Sequence, residues 1–217
     1  MAEVKLVVFD VGETLVDETR HWSEWADWLH VPRFTFMATL GFLIGAGRSH
    51  REVFPLVSSY GASEAVSRRV AEGWCYDIRD ADLYPDALPC VARLRRLGYQ
   101  VAVVGNQPIE CEDALRNLGI EANWFGSSAG WGIEKPSMAF FERVVEVAAL
   151  PPKQIVYVGD HPENDIRSAQ ACGLRTVFLR RGPWAIAHEF SAHAGLADLQ
   201  ISSLDALPGG FEMVTSG

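Results

Sequence analysis

The chain has no excess of positive charge. Lys and Arg number 19 against 28 Asp and Glu, a net charge of −9 over 217 residues. It lacks the positive field that would draw it to nucleic acid or an anionic membrane surface, so neither is an expected partner. Long apolar runs are missing too. The longest uncharged stretch, Phe34–Gly47, has 14 residues. That is short of the ~18–20 needed to span a bilayer, and it is expected as a buried helix. The apolar run Val4–Phe9 is interrupted by Lys5 and ended by Asp10, which is no secretory signal; a cytoplasmic location is expected. Cysteine is scarce. Cys75, Cys90, Cys111 and Cys172 form no Cys-x-x-Cys pair and have no accompanying His cluster. Free thiols are expected rather than a disulfide frame or a zinc site. No internal repeat or low-complexity segment occurs, and residues 16–83 contain no lysine at all.

What is present suits a globular core. Hydrophobic residues make up 48% of the chain, and the length fits one domain or a core with a smaller insertion. Short Val-rich runs at Lys5–Phe9, Gln100–Val104, Ile155–Val158 and Arg175–Leu179 are bounded by Gly or Asp. They read as central parallel strands buried on both faces, with Asn123–Phe125 as a shorter fifth. Helical patterns lie between them: Asp86–Leu97 stopping at Gly98, Glu112–Leu118 stopping at Gly119, Met138–Ala149 stopping at Pro151-Pro152, and one from Pro162 to Ala171. Strand alternating with helix predicts an α/β fold with a doubly wound parallel sheet. From Val16 to about Leu83 the alternation breaks. Trp22, Trp25, Trp28 and Leu29 share a helical face, and Phe34–Gly47, Ser49–Tyr60 and Ser63–Trp74 read as further helices. The tail from Gly209 to Gly217 is expected to be loosely held.

Four polar clusters end apolar runs or follow them: Asp10-Val11-Gly12-Glu13-Thr14-Leu15, Gly105-Asn106, Lys135-Pro136, and Gly159-Asp160-His161-Pro162-Glu163-Asn164-Asp165. In an open parallel sheet the strand ends converge on one edge, where ligands bind. Three carboxylates and one ammonium gathered there suit a divalent cation and attack on a phosphoryl group.

With these four pieces in this order, the chain resembles the haloacid dehalogenase superfamily of aspartate-nucleophile hydrolases. The resemblance covers the whole chain and implies a Rossmann-like core at 1–15 and 84–217 with a helical cap at 16–83. It implies Asp10 as nucleophile, with Lys135 steadying it and a phosphoryl oxygen. It implies Mg²⁺ held by Asp10, Asp160 and the Gly12 carbonyl, with Asp165 holding a water of that ion. The implied substrate is a small phosphorylated metabolite; the oligomeric state is left open.

Two positions depart from the family pattern. Family phosphatases carry an Asp where this chain has Gly12, and that Asp protonates the leaving group and later activates water. Gly12 keeps the carbonyl but not the acid, which puts ~10²–10⁴ of rate in doubt for poor leaving groups. Glu13 is either a substitute acid or a residue that stabilises the turn. The family's hydroxyl is also missing at Gly105, leaving main-chain N–H groups and the Asn106 side chain to meet a phosphoryl group. Either a donor is lost there, or Gly105 makes room for a ligand or water.

Outside the four motifs, Trp22, Trp25 and Trp28 read as packing or as a substrate platform. Arg20, His21 and Arg48 read as surface charge or as contacts to an anion. Arg180, Arg181 and Trp184 read as a loop salt bridge or as substrate contacts. Three rival activities remain in view. A dehalogenase would lack the acidic fourth motif. A phosphonatase would need a cap lysine, which residues 16–83 do not have. A non-catalytic binding protein would keep the metal site and lose turnover.

Overall fold

The computed structural model describes residues 3–210. The expected loose tail therefore falls largely at 211–217, outside the described residues. In chain order the elements are β1 (Leu6–Phe9), α1 (Thr19–Trp28), α2 (Arg33–Gly45), α3 (Val53–Val57), α4 (Ala62–Ala71), α5 (Ala87–Arg96), β2 (Gln100–Gly105), α6 (Glu110–Asn117), β3 (Trp124–Ser127), α7 (Ser128–Trp131), α8 (Met138–Ala148), β4 (Ile155–Gly159), α9 (Ser168–Ala171), β5 (Arg175–Leu179), α10 (Gly182–His188) and β6 (Leu199–Ile201). The chain forms two compact units, one of Met1–Asp17 with Ile78–Gly217 and the other of Glu18–Asp77.

The larger unit is built on a six-stranded parallel sheet of order β3-β2-β1-β4-β5-β6. β1 lies between β2 and β4, with Phe9 opposite Val103 on one side and Val158 on the other. The chain winds outward in both directions from β1, so the ends of β1, β2 and β4 open a crevice at a topological switch point. The strands are apolar without alternation because helices cover both faces. One side of the core gathers Leu6, Val8, Ala102, Val104, Phe140, Phe141, Val144, Ile155 and Tyr157. The sheet has one strand more than the sequence pattern gives: β6 is three residues long, and its middle residue Gln200 is exposed.

The expected helix after Pro162 begins instead as a wide π turn over Pro162–Arg167 and tightens to α form only at Ser168. His161 starts it, its Nδ1 accepting from the Asn164 N–H at 3.3 Å. The Asp165 carboxylate folds back to accept from the His161 N–H at 2.9 Å.

The smaller unit is helical. Its interior is aromatic: Trp25 packs edge-on against Phe54 and Trp28, with Trp22, Phe36 and Trp74 alongside. Arg69 is buried between two indoles, its guanidinium 4.5 Å from the Trp25 ring and 4.7 Å from that of Trp74. The helix expected over Ser49–Tyr60 is broken. Ser49 and Glu52 form a capping box around a 3₁₀ turn at His50–Glu52, and α3 follows with only five residues. The expected buried helix Phe34–Gly47 is α2. It buries Phe36, Leu40, Leu43 and Ile44, but Phe34 and Phe42 are exposed on its outer face. Among the described residues no helix is long and apolar enough to cross a membrane.

Candidate active site

Asp10 follows β1, and its N–H donates to the Val158 carbonyl at 2.9 Å. Asp160 follows β4, and Asp165 sits on the π turn beyond it. One oxygen from each of the three carboxylates lies within 4.8 Å of the others, and all three residues are buried. Lys135 reaches in from the segment between α7 and α8. Its Nζ is 2.7 Å from Asp10 Oδ1 and 2.7 Å from Asp165 Oδ1. The third partner of Nζ is the Tyr157 hydroxyl at 3.1 Å, which itself donates to the Val104 carbonyl at 2.7 Å. Sequence reasoning missed Tyr157, because a Tyr inside an apolar strand reads as core. The signal was a hydroxyl in a strand that is otherwise fully apolar and buried.

Asn106 holds the Lys135 backbone rather than standing free in the crevice. Its Nδ2 donates to the Lys135 carbonyl at 2.9 Å, and its Oδ1 accepts from the Lys135 N–H at 2.8 Å. One amide hydrogen of Asn106 is therefore already committed. Gly105 lies against the Asp10 carboxylate: a Cβ there would meet Asp10 Oδ1 at 2.5 Å. Gly159 is placed the same way, with the Asp165 carboxylate filling the space a Cβ would take. Both glycines thus let a carboxylate pack onto a strand end.

Gly12 sits in a tight turn in which the Leu15 and Val16 N–H groups donate to the Val11 carbonyl. Glu13 has a left-handed φ of 52° and is buried. Its Oε2 accepts from the Tyr84 hydroxyl at 2.7 Å, and it lies against Gly182, where a Cβ would meet Oε2 at 2.5 Å. Arg181 closes the arrangement. It donates to the Thr14 carbonyl at 3.0 Å, pairs with Asp86, and lies over the Tyr84 ring at 4.1 Å. Arg180 donates to Ser202 at 3.0 Å. In the smaller unit Arg20 pairs with Glu24 and Asp77, Arg48 pairs with Glu52, and the His21 Nε2 accepts from Trp25 Nε1 at 3.2 Å.

The site is short of positive charge. Burial raises Asp10 to about 6, with Lys135 opposing the rise and Asp165 adding to it. Burial also holds Asp160 well above the usual carboxylate range, and the neighbouring charges of Asp165, Asp10 and Glu13 push it further. Burial disfavours the Lys135 ammonium, but Asp10 and Asp165 together outweigh it and hold the group charged. Asp160 Oδ2 is buried with no hydrogen-bond partner. A buried carboxylate oxygen left unpaired is costly. Three carboxylates facing one ammonium, with one oxygen unpaired, fit a hard divalent cation that takes oxygen ligands.

The match to known proteins is as broad as the fold. A family model of haloacid dehalogenase-like hydrolases covers residues 4–173. The chain belongs to this family. It is 29% identical over 203 residues to a glyceraldehyde 3-phosphate phosphatase of Methanopyrus kandleri, an alignment covering 83% of this chain and 86% of that protein. A 2-haloacid dehalogenase of Pseudomonas syringae superposes with a TM-score of 0.61 at 25% identity, over 98% of this chain and 99% of the other. YfnB of Bacillus subtilis, described as a putative hydrolase of the family, superposes with a TM-score of 0.71 at 17% identity, over 97% and 99% of the two chains.

Proposed function

We propose that this hydrolase is a Mg²⁺-dependent phosphatase acting on a small phosphorylated metabolite through an aspartyl-phosphate on Asp10. The observation that carries the reading is the cluster of Asp10, Asp160 and Asp165 around Lys135, with Asp160 Oδ2 unpaired. Asp10, Asp160 and the Gly12 carbonyl would hold the ion, with Asp165 behind them. When bound, the ion supplies positive charge against the anionic substrate and the nucleophile. The likeness to glyceraldehyde 3-phosphate phosphatase supports the choice of phosphoryl transfer.

In the first half-reaction an Asp10 oxygen attacks phosphorus, the P–O bond to the leaving group breaks, and its electron pair departs on that oxygen. Lys135 balances charge on Asp10 and on a phosphoryl oxygen. Water then attacks the aspartyl-phosphate, releasing inorganic phosphate and free Asp10. Gly12 offers no proton to the leaving oxygen. Glu13 is held by Tyr84, which favours its role as a support for the turn over that of a substitute acid. The enzyme therefore favours leaving groups that depart unprotonated, acyl and aryl phosphates over simple alkyl phosphates.

The test is a series of phosphate esters of graded leaving-group pKa, with Mg²⁺ and with chelator. The first-step rate should fall steeply as leaving-group pKa rises. Asp10→Asn should lower turnover by ~10³-fold or more, and Gly12→Asp should flatten the series. A flat series in the unaltered protein would mean that another acid serves. A second reading, a metal-binding protein without turnover, is favoured by Gly12 and Gly105. Calorimetric Mg²⁺ binding that Asp160→Asn weakens, with no turnover on any ester, would establish it. A dehalogenase is disfavoured by the acidic fourth motif.

A further inference from the structure

The outer face of α2 has no job within its own unit. Phe34 is 87% exposed and Phe42 64% exposed, and Thr35, Ala38 and Gly41 between them are exposed too. No charged residue occurs from Phe34 to Gly47, in a chain that is 22% charged. Gly41 sits in the middle of this helix, yet a Cβ there would meet nothing within 4 Å. A helix-interior glycine costs ~0.5–1 kcal/mol relative to alanine, and no packing among the described residues asks for it. A surface of two exposed phenylalanines and an otherwise unexplained glycine suits another helix lying close against it.

The pattern is also its own complement. Phe34 and Phe42 lie four residues either side of Ala38, and Thr35 and Gly41 lie three either side. A twofold axis at Ala38 would lay a second α2 antiparallel across the first. Phe34 of each copy would then face Phe42 of the other, and Thr35 would fill the space over Gly41. The ends match in charge. Asp27 pairs with Arg33 at the start of the helix, and Arg48 pairs with Glu52 beyond its end. An antiparallel pairing would bring the first pair of one copy toward the second pair of the other, so that charges of both signs meet at the rim. A residue set that is symmetric about one point, uncharged at the centre and of both signs at its rim is what an isologous contact requires.

We infer that this face of α2 docks a second copy of the chain, as an antiparallel helix pair about a twofold axis beside Ala38. The small residues at 38 and 41 let the axes approach to the near end of the usual ~8–10 Å. A single helix of 13 residues is about 20 Å long, and its face alone falls short of the ~1,200 Å² of a stable interface. The dimer is accordingly reversible and depends on concentration. This does not rest on the phosphatase reading.

Sedimentation velocity on the full chain, from low micromolar to several hundred micromolar, should show the mass rising from 23.9 kDa toward twice that. Ala38→Arg sets two like charges together on the axis and should weaken association at least tenfold; Phe42→Ser should weaken it as well. Both sites are exposed, so far-ultraviolet circular dichroism should be unchanged. If Ala38→Arg disturbs the helix, cross-linking decides. In a Cys75→Ser background, Ala38→Cys should form a disulfide-linked dimer on mild oxidation, since residue 38 faces itself. Val66→Cys, on exposed α4, should not. A monomer at every concentration, dimerisation undiminished by both Ala38→Arg and Phe42→Ser, or equal cross-linking at positions 38 and 66 would overturn the proposal.

Discussion

Among the described residues each unit buries one cation, and the two are held in opposite ways. Lys135 in the sheet unit is surrounded by groups that want its charge: Asp10, Asp165 and the Tyr157 hydroxyl take all three of its donors. Arg69 in the helical unit lies between two indole faces, with Glu24 at 3.5 Å and Nη1 buried without a partner. Its environment, burial first, lowers its pKa, whereas that of Lys135 is raised. The first cation answers a surplus of negative charge and keeps the site assembled. The second fills a slot between rings, and its charge meets two indole faces and one carboxylate rather than a cluster of them.

Removing each charge should expose the difference. Lys135→Met leaves Asp10 and Asp165 buried without a counter-charge and should cost about 3–5 kcal/mol, read by urea unfolding in chelator. Arg69→Met keeps most of the contact with the indoles, and Glu24 retains Arg20. It should cost no more than about 1–2 kcal/mol. Equal losses would erase the contrast.

Acid should separate the units. Burial, reinforced by the Arg69 charge, lowers the folded His21 to about 4, while an unfolded imidazole titrates near ~6.5. Between those values only the unfolded chain takes up the proton, so the helical unit loses stability as pH falls from ~6.5 to ~4, by ~1–3 kcal/mol. The hydrogen bond from Trp25 to His21 Nε2 also requires the neutral ring. Asp10 behaves inversely. Its folded pKa of about 6 lies above the unfolded carboxylate near ~3.9, so its own contribution to the metal-free sheet unit grows as pH falls through that window, with the raised Asp160 beside it and the buried His161, held at about 4, opposing. Hydrogen exchange followed separately in residues 18–77 and in the rest of the chain, at pH 7 and pH 4.5, should show the larger acid loss in residues 18–77, where no raised carboxylate offsets the histidine. His21→Gln should remove the acid loss in residues 18–77, and a loss there no larger than in the rest of the chain would refute the assignment.

The smallest effect concerns Gly105. The family resemblance alone suggests that Gly105→Ser restores a donor and raises the rate. The structure predicts the reverse, because a Cβ there would lie 2.5 Å from Asp10 Oδ1. Turning Asp10 off its contact with Lys135 should lower kcat/KM about tenfold, the equivalent of one strained rotamer. A gain in kcat/KM would show that the crevice yields as readily as an exposed helix face.

The two units were also unequally legible. Strands β1, β2, β4 and β5 announce themselves because buried parallel strands need unbroken apolar runs and their ends carry the polar residues. β6 does not, since three edge residues, of which only Ile201 is buried, make no pattern. The four motifs were readable because their chemistry fixes residue type at fixed spacing, and the structure gathers Asp10, Lys135, Asp160 and Asp165 as those motifs suggest. Tyr157, and the link from Glu13 through Tyr84 to Arg181, were hidden because they depend on contacts between residues far apart in sequence. In the helical unit composition showed helices and aromatics, but not which Trp rings would enclose Arg69.

Asn106 donates to and accepts from the same residue, Lys135. A carboxamide used this way stands in for a peptide group, adding one rung to the ladder without a strand to supply it. That rung is perishable. Loss of ammonia from the side chain would replace its donor with a second acceptor, set against the Lys135 carbonyl, and the backbone that aims the ammonium would drift. The aim of the ammonium thus rests in part on the survival of a single side-chain amide, one residue beyond the glycine that packs against Asp10.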